Sequence, residues 1–163
     1  MTSTTGSLQT STHKNPIAVI AIAGLIAGTL DGLGAIIWAY LKSSTPPAVV
    51  FKYIASGVYG KEAFAGGVSM IIMGIVFHYV IATIWSTLMY GLYPRLIPVL
   101  KNKFLLGILF GIVIWLVMNF IVVPNSNAPQ GKDFDRVQAV INMSILIVAV
   151  GIPICIVMHR YRK

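Results

Sequence analysis

Four long apolar stretches dominate the chain, and short polar segments separate each stretch from the next. About 20 consecutive apolar residues are enough for an α-helix to cross the roughly 30 Å hydrocarbon core of a bilayer. Only helices satisfy the backbone hydrogen bonds of a single open chain in lipid. The pattern therefore predicts an all-α integral membrane protein, a four-transmembrane-helix bundle, with spans at about 17–41, 65–91, 104–123 and 137–158.

The N-terminal segment has a different composition from the rest. Residues 1–15 are rich in Ser and Thr and are expected to form a disordered tail, which leaves residues 16–163 as one transmembrane domain. The first apolar stretch runs to about 25 residues, whereas the apolar core of a signal peptide has about 7–15. We therefore expect this stretch to be retained as span one.

The connection between spans one and two carries a helical signal of its own. Pro46 and Pro47 can open a helix there, and Gly57 can close it. Between them, apolar residues recur at helical spacing, at Val49, Val50, Tyr53 and Ile54. This predicts a short amphipathic helix in the membrane interface. The alternative is an ordinary loop whose apolar residues pack onto the bundle.

Composition excludes a water-soluble domain. The 163 residues are 57% hydrophobic and 10% charged, with a mean hydropathy of +0.86, whereas soluble domains carry about 25% charged residues. The net charge of +8 does not indicate nucleic-acid binding, because the basic residues cluster at the ends of the apolar stretches. Cys155 is the one cysteine of the chain, so no intrachain disulfide is predicted.

The distribution of Lys and Arg also predicts the orientation. Pro94 and Pro98 are interpreted as the turn between spans two and three. With the N-terminus inside, seven basic residues are cytoplasmic: Lys14, Arg95, Lys101, Lys103, Arg160, Arg162 and Lys163. The opposite side then holds five: Lys42, Lys52, Lys61, Lys132 and Arg136. The bias predicts that both termini are cytoplasmic.

Asp31 is the acidic residue that lies inside an apolar stretch, in the middle of span one. A carboxylate near the bilayer centre costs about 2.5–3.5 kcal/mol on insertion scales, so Asp31 is expected to face protein or water and is a functional candidate. Small residues share its helix face, and glycines recur in spans two and three. Such residues allow close helix contacts and favour a homo-oligomer. The predicted helix-packing residues are Gly24, Gly28, Gly32, Gly67, Gly74, Gly107 and Gly111.

His78, Asn119 and Asn142 place polar groups at the same level as Asp31. At about 1.5 Å per residue from the cytoplasmic ends of their spans, all four residues lie roughly 20–24 Å deep. One polar residue from each span therefore falls in the outer half of the membrane. Asp31 is expected to hold and charge the imidazole of His78, while the two amides bridge this pair or a bound polar group.

These residues predict a centre that binds a small polar ligand or a proton, in a transport or sensing role. The alternative is a non-catalytic accessory or assembly protein, in which the polar residues only specify packing. A third class makes His78 a haem or metal ligand, and bis-His ligation then requires a dimer. No phosphate-binding, zinc-protease, hydrolase or dinucleotide motif is found, so neither a cofactor nor an enzymatic activity is predicted.

Some segments carry a family resemblance. They are Leu30-Asp31 in a helix of small residues, residues 55–67 (ASGVYGKEAFAGG), the lone His78, and residues 117–124 (VMNFIVVP). With these segments the chain resembles a family of small, uncharacterised four-span bacterial inner-membrane proteins, over about residues 17–158. The resemblance implies placement in the bacterial inner membrane, and it brings no activity with it.

Overall fold

The computed structural model describes residues 15–129 and 135–161. Four of its helices are long and apolar enough to cross a membrane, and they form spans one to four: Pro16–Ser43, Val68–Leu100, Lys103–Val122 and Arg136–Tyr161. Regular structure within the described ranges is helical throughout, which confirms the all-α class and the four apolar spans. The predicted disordered tail, up to Lys14, lies outside the described residues.

Span one and the connection after it follow local capping rules. Helix α1 (Pro16–Ser43) begins after Asn15, whose side-chain oxygen accepts the N–H of Ile17 at 3.0 Å. Helix α2 (Pro47–Tyr59) begins at a proline, as predicted. It ends at Gly60, where a φ of +63° favours glycine, rather than at Gly57. The single turn α3 (Glu62–Ala65) follows.

Span two, helix α4 (Val68–Leu100), is longer than the predicted 65–91. Pro94 and Pro98 lie inside it, so the prediction that they mark a turn is wrong. A proline keeps φ near its helical value and removes one backbone hydrogen bond, and here the helix continues through both residues. The turn into span three consists of Lys101, in the left-handed conformation, and Asn102, whose side chain caps the next helix.

Spans three and four each contain a π-helical turn. Span three is α5 (Lys103–Val117) followed by a π turn at Met118–Val122. Span four consists of α6 (Arg136–Leu146), a π turn at Ile147–Gly151 and α7 (Ile152–Tyr161). The second π turn ends two residues before Pro153, whose ring would clash with the carbonyl four residues earlier, within that turn, in a regular α-helix. The wider turn relieves this clash.

Glycines allow close contact between spans one and two and between spans three and four. On α1 facing α4, a methyl group at Gly28 would lie 2.9 Å from the Tyr79 ring, and one at Gly24 would lie 3.2 Å from the backbone of Thr83. Between spans three and four, a methyl group at Gly107 would lie 2.7 Å from the Ile152 backbone. Gly111 makes the same close approach to Ile147, with 2.5 Å to its Cα. Small residues at these positions permit backbone-to-backbone packing.

Gly74 and Gly67, both predicted as packing residues of span two, behave differently. A methyl group at Gly74 would lie 2.6 Å from the carbonyl carbon of Phe51, so this glycine packs α4 against α2. A methyl group at Gly67 would meet nothing within 4 Å. Gly67 precedes the first residue of α4 and makes no helix contact within the described chain, so its role as a packing residue stays a prediction.

The packed core lies in the half of the bundle that carries both chain termini, which we call the termini end. It comes from the first half of α1, the last half of α4, the start of α5 and α7. Its members include Val19, Ala23, Met89, Tyr93, Leu106, Phe110, Ile154, Cys155 and Met158. The opposite half, the α2 end, is covered by α2 and by the segment after span three, and it is less tightly filled.

Candidate ligand-binding cavity

A cavity of about 350 Å³ lies between the four spans and α2. Each span contributes one predicted polar residue to its wall: Asp31 from α1, His78 from α4, Asn119 from span three and Asn142 from span four. Sequence placed these residues at one depth, and the structure places them around one space. A volume of this size is within the range of small-molecule sites. That the four residues bind a ligand stays a prediction.

The orientation of His78 is set by the α1 backbone. Its Nε2 lies 2.7 Å from the carbonyl oxygen of Gly28, so the ring donates Nε2–H to that carbonyl. Gly32 leaves the space for the ring, since a methyl group there would lie 3.3 Å from Nε2. Phe51 and Tyr79 make edge contacts with the imidazole at 6.5 and 5.6 Å between ring centroids. The ring is therefore held by α1, α2 and α4 together.

Asp31 does not orient His78 as the sequence led us to expect. The ion pair formed within residues 15–129 and 135–161 is Lys42–Asp135, and the Asp31 carboxylate is not within 4 Å of the imidazole nitrogens. The carboxylate is half-buried on the cavity wall and has no hydrogen bond to another described residue. The imidazole donates to a backbone carbonyl instead, because the glycine-lined contact brings that carbonyl closer than the carboxylate. Asp31 thus faces the cavity without a hydrogen bond or close ion pair to a described residue, and it interacts with His78 only through the longer-range attraction of opposite charges.

The two asparagines do not bridge Asp31 and His78 either. Asn119 donates its Nδ2–H to the carbonyl of Trp115, one turn earlier in its own helix, at 2.9 Å. Asn142 is half-buried on the cavity wall and forms no side-chain hydrogen bond with the described residues. The expected four-residue hydrogen-bonded network is therefore absent from the described part of the chain, and the polar groups face a common space instead.

Helix α2 covers the cavity, with Tyr53 and Ile54 on the wall. Two contacts hold the C-terminal part of α2 in place: the N–H of Asn127 donates to the Gly57 carbonyl at 2.9 Å, and its side-chain Nδ2 donates to Val58 at the same distance. On the other side, Gly74 seats α2 on α4. Part of the apolar face that sequence assigned to a membrane interface is thus turned toward the cavity.

Three further polar or aromatic residues line the wall, Trp85, Trp115 and Ser126, and the last two escaped the sequence reasoning. Trp85 lies toward one end of its span, a position that is also typical of an anchor at the membrane surface. Trp85 lies two turns beyond His78, at a spacing of seven residues, so the sequence already indicates that both side chains share a face. Trp115 lies one turn before Asn119, a spacing that would have found it, whereas Ser126 lies in the non-helical segment after span three and has no such signal.

The cavity is closed at the termini end. Trp85 and Ile114 lie on its floor, and the Trp85 indole meets the ring of Phe110 edge to face at 5.8 Å. Ile114 is 2% exposed and Phe110 is 6% exposed, and both belong to the packed core. The space is therefore a pocket with one closed end and not a channel through the bundle.

Chemically, the pocket combines one carboxylate, one imidazole and two amides with aromatic and aliphatic walls. Such walls accommodate an apolar body while a few polar groups orient it. In the described ranges, no group of three or more His, Cys, Asp or Glu side chains is arranged to hold a metal ion.

Searches among protein-family models, curated proteins and solved structures find no match to this chain.

Proposed function

We propose that this protein binds a small polar ligand or a proton in the cavity at Asp31 and His78, in a transport or sensing role. The observation that carries the proposal is that one polar side chain from each span lines a single space of about 350 Å³. Ionisable groups within membrane helices are costly, and they are retained mostly where they perform a function. An unpartnered carboxylate on a cavity wall agrees with that rule.

The proposal places the protein in the bacterial inner membrane as a multi-pass protein with both termini cytoplasmic. The excess of Lys and Arg on the side of the termini supports this orientation, and the family resemblance supports the membrane. The cavity then lies in the outer half of the bilayer, with α2 at the outer interface. A ligand enters from the outside, since the termini end is filled by the core.

A homo-oligomer remains part of the proposal, but the glycines no longer support it. Gly24, Gly28, Gly107 and Gly111 contact other spans of the same chain, so their faces are used within one protomer. The oligomeric state therefore has to be measured directly, by native mass.

A second candidate is an accessory or assembly protein in which the polar groups only stabilise packing. The observation that favours it is that His78 and Asn119 donate to backbone carbonyls, as structural polar residues in membrane helices do. Asp31 distinguishes the two candidates, because it has no comparable contact within the described residues. A purely structural role leaves the carboxylate without a partner.

The test is retention of a ligand by the purified protein. Wild type, Asp31→Asn, the cavity-filling Ala35→Phe and the control Gly91→Ala would be purified in mild detergent and compared by native mass spectrometry and absorption spectroscopy. Ala35 lies on the cavity wall, whereas a methyl group at Gly91 meets nothing within 4 Å. A small molecule that is retained by wild type and control, and is lost from both cavity variants, supports the proposal.

The opposite results are equally informative. The binding function is wrong if two results are found together. No small molecule accompanies wild type, and no member of a compound library raises the melting temperature of wild type by more than it raises that of Ala35→Phe. A lower stability or altered oligomer of Asp31→Asn would then support the accessory role. A Soret band would support haem at His78, which requires release of the Gly28 carbonyl or ligation through Nδ1.

A further inference from the structure

Among the described residues, the cavity wall carries a carboxylate and no Lys or Arg side chain. Its ionisable residues within the described ranges are Asp31, His78 and Tyr53, and no Lys or Arg lines it. The nearest basic residue along α1 is Lys42, which binds Asp135 at 3.2 Å and also donates to Gln138. The carboxylate of Asp31 therefore meets the cavity without a fixed cationic side chain beside it.

Several hydrogen-bond donors of the wall are already bonded to the backbone. His78 uses Nε2–H on the Gly28 carbonyl, so an unprotonated Nδ1 can accept a hydrogen bond from a ligand. Asn119 uses an amide N–H on the Trp115 carbonyl, and its oxygen remains an acceptor. Ser126 donates its O–H to the Val123 carbonyl at 2.8 Å. Three potential donors are thus bonded to backbone carbonyls, whereas the Asp31 carboxylate accepts no hydrogen bond from a described residue.

The remaining wall suits an apolar, polarisable body. Trp85, Trp115 and Tyr53 provide aromatic surfaces, and most other lining residues are aliphatic. Aromatic faces attract cations through their quadrupoles, most strongly in desolvated sites. No group of three His, Cys, Asp or Glu side chains that could hold a metal ion lies in the described ranges, which favours an organic cation over a bare metal ion. Neutral donors remain on the wall: the amides of Asn119 and Asn142, the hydroxyl of Tyr53 and the indole N–H groups of Trp85 and Trp115.

We propose that the ligand is a monovalent organic cation, an ammonium-type head group on a small apolar body. The head group donates to Asp31 and to the acceptors of His78 and Asn119, while the body lies against Trp85 and Trp115. This inference rests on the proposed binding function and specifies its ligand class. An anion is rejected by the same wall, because it meets a carboxylate and no Lys or Arg side chain of the described residues.

The test uses three probes with one common body: phenethylammonium, phenethyl alcohol and phenylacetate. They carry positive, zero and negative charge at neutral pH, so their affinities isolate the effect of charge. Binding to the purified full-length protein is followed through its tryptophan fluorescence, since two of its three tryptophans line the cavity. We expect the cation to bind at least about tenfold more tightly than the alcohol, a difference of about 1.4 kcal/mol, and phenylacetate not to bind.

Two substitutions at Asp31 and one elsewhere locate the effect. Asp31→Asn removes the charge and should abolish the preference for the cation over the alcohol. Asp31→Glu retains the charge and should retain the preference for the cation. This variant keeps the proposal testable if Asp31→Asn does not fold. Asp135→Asn removes an exposed carboxylate outside the cavity and should leave the preference unchanged.

Equal affinity for the cation and the alcohol, or tighter binding of phenylacetate, would show that the cation assignment is wrong while ligand binding itself stands. A cation preference that survives in Asp31→Asn, or that disappears in Asp135→Asn, would equally overturn it. If none of the three probes binds, the assignment is also wrong, and the ligand-retention experiment decides separately whether the cavity binds anything.

Discussion

Gly74 is the position where a single methyl group should displace the cover of the cavity. It lies in α4 directly beneath α2, and the added Cβ of Gly74→Ala would stand 2.6 Å from the carbonyl carbon of Phe51. Ordinary contact begins at 3.4 Å, so the backbone of α2 must retreat by at least about 0.8 Å. The obstacle is main chain and not the end of a flexible side chain, so no rotamer change relieves it.

The energetic cost follows from this geometry. Forcing extra volume into a packed contact with backbone movement costs about 1–3 kcal/mol. In the same helix, a methyl group at Gly91 meets nothing within 4 Å, and replacing a helical glycine by alanine stabilises by roughly 0.5–1 kcal/mol. We therefore expect Gly74→Ala and Gly91→Ala to differ by about 2 kcal/mol or more in free energy of unfolding, with opposite signs relative to wild type.

The assay is reversible unfolding in mixed micelles of mild and denaturing detergent, followed by circular dichroism. Because Phe51 also contacts the His78 ring, a shifted α2 should change the exposure of the cavity. A second readout is therefore the emission of the cavity tryptophans under an aqueous quencher, which should be quenched more in Gly74→Ala. Equal stabilities of the two alanine variants, or equal quenching, would refute the seating of α2 on this glycine.

Other contacts give further expectations, all measured by the same unfolding assay. Gly107→Ala should destabilise by about 1–3 kcal/mol, because its methyl group would meet the backbone of span four; no loss would contradict this packing. Tyr93→Phe should lose about 0.5–1.5 kcal/mol with the hydrogen bond to Nδ1 of His159 at 2.8 Å, and an unchanged stability would show that the bond contributes nothing. The Gln138 N–H and the Lys42 ammonium hold the pKa of the exposed Asp135 carboxyl below its usual range. Its contribution to stability is thus present above the ordinary pKa and lost as the pH falls through the lowered one, and Asp135→Asn should flatten that part of the profile.

Much of the fold is readable from the sequence because a bilayer leaves few choices. The length and continuity of the apolar stretches locate the four spans, and Asp31 near the centre of one stretch marks a polar site. The depth of His78, Asn119 and Asn142 along their spans could be calculated because the rise per residue of a helix is fixed. Residues at the same depth on facing helices then line the same space, as these three do with Asp31.

The details that failed depend on contacts between elements. Helical spacing showed that α2 is apolar on one side, but periodicity does not distinguish a lipid surface from a cavity as the neighbour of that side. The continuation of α4 through Pro94 and Pro98 escaped prediction because a proline marks either a turn or a tolerated break in hydrogen bonding. His78 donates to the Gly28 carbonyl and not to Asp31 because of the distance between α1 and α4. The spacing of residues along the sequence does not predict that distance.

The packed core and the cavity lie in opposite halves of the bundle. At the termini end, Met89, Ile154 and Met158 are fully buried, and the backbones of spans three and four touch at glycines. Both π turns border the cavity: Met118, Asn119 and Val122 of one lie on its wall, and Val150 of the other belongs both to the wall and to the core. π turns occur frequently at functional sites, where they shift side chains out of regular helical register. A rigid core on one side allows an open site on the other, because the site does not have to supply the packing that holds the helices together.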